Sequence, residues 1–385
     1  MAATLTMDRV RSDVDVLSRG GLDVATFLAE VEASISRAVP HVAACMCTVD
    51  PATHILTSTY KFGDLYGNDA HDLLWGLLEY GGDDPTAFPT MSRRHRDSVG
   101  MFVETDGDVV INPRMEQLML PEYGYHDEAR LVARQGDLAW GGLAMFRGSD
   151  EPPFSDSEIE FLGSLSSAYA AGIRLGLLAR LVTSDLGLVE FGPAGDAGPA
   201  VAIIDDNNRV VQVSVGATRL LEEMTSRANS ADATGTLAAL VAGARRFQAG
   251  TSDVLPRGRV RLPSGRWLVL HASPLSSIDG RGGDVVITME EARPPEIVPL
   301  VVAAFGLTDR ERDVTRLVLQ GADTKEIAGT LHMSRYTVQD HLKSVFDKAD
   351  VRSRRELVSR VFFDQYAPRL GGEVAPTGWF AGEGV

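Results

Sequence analysis

The chain has 385 residues, 44% of them hydrophobic and 23% charged, which excludes both one ordinary core and a disordered polymer and points to a folded multidomain protein. No stretch approaches the roughly 20 uninterrupted apolar residues of a membrane span, and the N-terminal segment carries charges where a secretory signal needs an apolar run, so a cytoplasmic protein with no membrane partner is expected. The net charge of −16 speaks against a polyanionic ligand for the chain as a whole, but residues 307–364 hold 11 Lys/Arg and 10 Asp/Glu, which places the acidity elsewhere.

In chain order, Val24, Phe27, Leu28, Val31, Ile35 and Val39 recur at three- and four-residue intervals and predict a helix ending before Pro40. The runs at 42–49 and 55–62, joined by Asp50-Pro51-Ala52-Thr53-His54, predict a β-hairpin, and those at 128–134 and 138–147 predict another across Gln135-Gly136-Asp137. Ser155 with Glu158 three residues later has capping-box spacing and opens a helix expected to run to about residue 182. That helix has more apolar positions than one sheet face needs, so Ile173 and Leu177 are expected at a dimer interface. An α+β unit results, and its order over residues 20–182 is similar to that of GAF sensor domains.

Residues 183–199 are rich in Gly, Pro and Asp and read as a linker. Strand-like runs at 200–204 and 209–213, a short helix with Leu220, Leu221 and Met224, and further runs at 259–262, 266–275 and 284–289 follow. This second α+β unit, residues 200–290, resembles a PAS-type sensor. Pro294, Pro295 and Pro299 are expected to break regular structure in a second linker, 291–306, while residues 367–385 form a Gly/Pro-rich tail.

Residues 307–366 read as an all-α unit of four helices. Thr308 with Glu311, Asp323 with Glu326 and Ser353 with Glu356 keep the capping-box spacing, Ser334 caps the third helix, and Gly321 ends the first. At about 100° per residue, Val338, Leu342 and Val345 share one side of the third helix, whereas Tyr336, Gln339, Asp340, Lys343 and Asp347 share an arc of about 100° on the other. The LTDRE opening, KEIA in the second helix, Ser334-x-x-Thr337-Val338 and the basic run before the last helix together closely resemble the LuxR-type helix-turn-helix.

That resemblance implies a homodimeric transcription regulator bound to double-stranded DNA, with RNA polymerase as a further partner, and makes the third helix the recognition helix. Gln339, Asp340 and Lys343 then suit base edges, with Tyr336 beside them, and Lys325, Arg335, Thr337 and Arg352 suit phosphates. Gln339 stands where Lys is frequent in the family, Asp340 where an apolar residue is, and Ala349-Asp350 where Leu-Gly is usual. The alternative is a sensory adaptor whose helix-turn-helix docks on another protein.

Elsewhere, Cys45 and Cys47 are the only cysteines, and His41 shares their strand parity. Four strand residues span about 13 Å, too far for His41 and Cys45 to share one metal, so core or cavity-lining thiols are expected, with no metal and no cofactor. Eleven of the 26 aromatic residues fall between Tyr60 and Phe146. An ordinary core and a small-molecule effector cavity lined by Cys45, Cys47, Trp75, Phe102 and Trp140 would both give that density. No nucleotide-binding, zinc-protease or nucleophile-elbow motif occurs, so no enzymatic activity is expected.

Overall fold

The computed structural model describes residues 2–178, 199–225, 233–262, 266–276 and 282–363. The expected linker at 183–199, apart from Pro199, and the tail at 367–385 lie outside them. The chain divides into two compact units, one holding nearly all of both sheets up to Glu291 and the other, among the described residues, comprising Arg266, Trp267 and the residues from Ala292 onward.

The first unit opens with α1 (Ala2–Ser18), a helix the sequence did not announce, and α2 (Val24–Ile35). Asp23 caps α2 by accepting from the Thr26 N–H, and Phe27, Leu28, Val31 and Ile35 are buried. β1 (Ala43–Val49) and β2 (Leu56–Gly63) form the expected hairpin, with Cys45 opposite Lys61 and Cys47 opposite Thr59. Next come α3 (Asp72–Gly81), α4 (Phe88–Arg93), β3 (Ser98–Gly100), α5 (Met101–Glu104) and α6 (Leu120–Tyr123), ahead of the second hairpin, β4 (Tyr125–Gln135) and β5 (Leu138–Gly148). The sheet runs β2-β1-β5-β4-β3, so its last strand pairs antiparallel with its first.

The capping box of Ser155 and Glu158 is present, but the single long helix expected after it is not. Instead α7 (Asp156–Ser164) and α8 (Ser166–Leu178) meet at a bend of 42°. Ser166 accounts for the break: its hydroxyl donates to the Val132 carbonyl at 2.7 Å and accepts from the Arg134 N–H at 3.1 Å, which ties the start of α8 to β4.

The apolar surplus on α8 is used inside the unit, because α8 packs on β4 and β5 and also on α1 and α2. A Cβ on Gly172 would lie 2.0 Å from the Phe27 ring, so glycine is what lets α2 come so near. Ile173 is fully buried, which corrects its expected place at a dimer interface.

The second sheet comprises β6 (Ala200–Ile204), β7 (Val210–Val213), α9 (Val215–Thr225), α10 (Ala233–Gln248), β8 (Arg257–Arg261), β9 (Trp267–Ser276) and β10 (Gly282–Glu291). Its order, β7-β6-β10-β9-β8, repeats that of the first sheet. Both follow the α+β class expected. The two sheets are joined by α10 packing on α3, where a Cβ on Gly76 would stand 2.6 Å from that of Ala238. A buried ion pair reinforces the joint, with Arg259 Nε donating to Asp50 Oδ2 at 2.7 Å and Nη2 to Oδ1 at 2.6 Å.

The second unit begins with α11 (Pro294–Ala304), where the prolines were expected to prevent regular structure. Two of them occupy the first turn, whose N–H groups have no partner within a helix, so only Pro299 removes a bond. Four helices follow as expected: α12 (Asp309–Leu319), α13 (Thr324–Thr330), α14 (Arg335–Lys348) and α15 (Arg354–Val358).

Candidate functional site

The junctions of the helical module are built from matched caps. Thr308 and Asp323 start α12 and α13 with complete capping boxes, and Ser334 starts α14 by accepting from the Thr337 N–H. After α12, the Ala322 N–H reaches the Leu317 carbonyl and the Gly321 N–H that of Val318, with Gly321 at φ +87°. The same pair of hydrogen bonds ends α13, donated by the N–H of Met333 to the Ala328 carbonyl and of His332 to that of Gly329, with His332 at φ +54°, and ends α14, donated by Val351 to Phe346 and by Asp350 to Asp347, with Asp350 at φ +51°. These are Schellman closures, which turn the chain within a few residues and so fix the angle at which α14 leaves α13.

α14 has two faces. Val338, Leu342 and Val345 are buried. Arg335, Tyr336, Thr337, Gln339, Asp340, Lys343 and Asp347 are exposed, and Tyr336 keeps 77% of its surface. Lys325 on α13 and Arg352 before α15 are exposed too. The Thr337 hydroxyl lies 2.8 Å from that of Ser334, so it serves the helix cap as well as presenting itself at the surface.

Glu311 is a positioning residue that spacing marked only as a cap. Its Oε2 accepts from the Thr308 N–H at 2.7 Å and from Lys348 Nζ at 2.6 Å, and its Oε1 from the Ser344 hydroxyl at 2.6 Å. Burial pushes this carboxyl up, but the hydrogen bonds from Lys348, Ser344 and Thr308 outweigh it and bring it down to about 2. One carboxylate thus clamps two turns of α14 onto the start of α12. Arg354 does the same for α15, donating to the Ala322 carbonyl at 2.7 Å and to the Thr324 hydroxyl at 2.9 Å.

The first unit holds a cavity of about 50 Å³ whose walls include Cys45, Cys47 and Trp75. Phe102 and Trp140 are not in the wall. Phe102 falls on the short α5, 40% exposed, where its ring covers Gly107, and Trp140 is fully buried away from the cavity. Among the lining residues the sequence did not single out are four charged ones, Lys61, Asp72, Glu79 and Arg130. Lys61 Nζ donates to Asp69, Asp72 and the Asn68 carbonyl, each at 2.6 Å. Arg130 lies 3.9 Å over the Phe88 ring and donates to Glu79 Oε2 at 2.8 Å and to the Thr86 carbonyl at 2.6 Å.

Behind it, the wholly buried Arg114 bridges Glu128 and Asp84, both at 2.7 Å. Burial raises the Asp84 carboxyl, while Arg114 and the bonds from Thr86 and Asn112 lower it further, to about 2. Cys45 and Cys47 are free thiols, and no His/Cys/Asp/Glu group able to hold a metal occurs among the described residues. His41 faces away from such a role, with Nδ1 on the Val39 carbonyl at 2.8 Å and Nε2 on Glu32 at 3.2 Å.

A four-helix module with tight turns before and after a two-faced third helix defines a helix-turn-helix protein. The pattern of bacterial regulatory proteins of the luxR family matches residues 306–361. The spore germination protein GerE of Bacillus subtilis is 42% identical over 52 residues, which is 14% of this chain and 70% of that protein. The chain therefore belongs to the luxR family of bacterial regulatory proteins.

The monoamine regulon transcriptional regulator of Klebsiella aerogenes is 37% identical over 92 residues, covering 20% of this chain and 40% of its own. The transcriptional regulatory protein DesR of Bacillus subtilis is 39% identical over 67 residues, 17% of this chain and 34% of its own, so less than half of either relative is spanned. Among solved structures, the GAF domain of a phosphoenolpyruvate-protein phosphotransferase from Coxiella burnetii covers 44% of this chain and 93% of itself, at 14% identity. Its TM-score of 0.29 is too low to carry an argument.

Proposed function

We propose that the chain is a cytoplasmic, sequence-specific DNA-binding transcription regulator, not an enzyme. It acts as a homodimer, with double-stranded DNA and RNA polymerase as partners. Residues 307–366 are its DNA-binding domain, and residues 20–182 and 200–290 form GAF-like and PAS-like sensory domains answering to a small molecule or a partner. The observation that carries this reading is the outer face of α14, where exposed hydrogen-bonding side chains stand opposite a buried apolar row. In this reading Gln339 pairs with adenine, Asp340 accepts from a cytosine amino group, and Lys343 donates to guanine or phosphate. Tyr336 flanks them, and Lys325, Arg335, Thr337 and Arg352 hold phosphates.

The test is selection of bound sequences from a random duplex pool by the full chain, followed by titration of variants on the selected site. Gln339→Ala should cost about 1–3 kcal/mol and relax choice at one base pair. Lys343→Ala should weaken binding and, if it contacts phosphate, lower the salt slope by about one unit. Unchanged affinity and specificity in the folded double variant would remove the DNA-binding role from this face.

A further inference from the structure

The charged groups around the Cys45/Cys47 cavity form ion pairs with one another, with Arg130 Nε and Glu128 Oε1 in close approach but without a hydrogen bond. Lys61 is held by Asp69 and Asp72, and Arg130 by Glu79 and Glu128, with N–O separations of 2.6–3.1 Å. An ion entering here would lose its hydration and meet only charges that are neutralised within the wall. What remains to touch an occupant is apolar or weakly polar, mainly Trp75, Phe88, Leu56, Ala144 and the two thiols. Burial keeps those thiols protonated, pushing Cys47 up to about 12.

The space of about 50 Å³ is roughly three to five times the least volume that holds one water molecule. One wall comes from the second sheet: Gly235 on α10 lines the cavity, and a Cβ there would lie 3.0 Å from Leu56 Cδ2.

We propose that this cavity receives one small uncharged molecule, largely apolar and of about three to five non-hydrogen atoms, with α10 of the second sheet as the wall that senses its size. The proposal rests on the sensory reading above and names the chemical class sensed. Because Gly76 and Ala238 already touch, an occupant larger than the cavity has to push α10 away from α3, which ties occupancy to the joint between the sheets.

The experiment uses the full chain with 15N-labelled tryptophan, the Trp75 indole resonance being assigned by its loss in Trp75→Phe. Xenon and acetone serve as neutral probes, and acetate and isopropylammonium as charged probes of similar size. Xenon and acetone should shift Trp75 saturably while leaving Trp140 in place, and the two ions should not. Ala144→Leu, which fills the cavity from β5, should abolish the shift, and Gly235→Ala should weaken it if the first variant does not fold.

Equal or tighter binding of either ion, or a Trp75 resonance unmoved by both neutral probes, would overturn the proposal. DNA retention is measured on the same samples. A protein that takes up acetone but selects no DNA supports the cavity while sinking the regulator reading, and the two failures are thereby distinct.

Discussion

Replacing Glu311 by Gln removes one charge from the clamp on α14 while keeping the size and a hydrogen-bonding end. The carboxyl lies at about 2 against an ordinary 4.5, and at about 1.4 kcal/mol per unit this corresponds to about 3 kcal/mol of stability at neutral pH. Lys348 is 35% exposed, so solvent screening reduces the figure to about 2 kcal/mol. Because the folded value is depressed, the contribution is complete above about pH 5 and is lost as pH falls through 2, leaving about 1 kcal/mol at pH 3. Hydrogen exchange read by mass spectrometry on the full chain separates this module from the sheets. Peptides within residues 335–348 should lose about 30-fold in protection at pH 7, and about 5-fold at pH 3, while peptides of the first unit do not change. Equal protection at pH 7, or a deficit that stays constant down to pH 3, would refute the clamp.

Two further outcomes follow from the geometry. Arg114→Met leaves Glu79, Asp84 and Glu128 without their shared buried cation and should cost about 3–5 kcal/mol, seen as a lowered midpoint of thermal unfolding by near-ultraviolet circular dichroism; an unchanged midpoint would show that Arg130 alone suffices. Asp350→Gly relieves a left-handed residue at φ +51° and should raise the stability of the module by up to about 1 kcal/mol, measured as slower exchange at the end of α14; faster exchange would mean that the Asp350 side chain makes a favourable interaction.

The helical module was legible because its signals are local. A cap and a residue three positions later fix a helix start, and the 100° step separates Val338 from Gln339 without reference to the rest of the fold. The two hairpins in the first sheet were legible for the same reason, through short turns between runs of strand-forming residues. The bend at Leu165 was not, since it depends on Ser166 reaching β4 more than thirty residues back. α10 and the charged wall of the cavity were hidden for a related reason. Lys61, Glu79 and Arg130 are charged, and residue type alone does not show that the fold buries them beside compensating partners.

The departures of this chain from the common luxR pattern fall on positions whose structural duty is light or can be met another way. Ala349-Asp350 replaces Leu-Gly, yet the closure after α14 forms, because aspartate tolerates the left-handed region and Ala349 is still buried at 1% exposure. Gln339 and Asp340 lie on the outer arc, so neither is needed to hold α14 on the bundle. An aspartate pointed toward a polyanion is repelled on every sequence, and under the regulator reading that repulsion is offset only where a cytosine amino group donates to it. Asp340 in that reading works chiefly by weakening the wrong sites, and Gln339 and Lys343 by strengthening the right one.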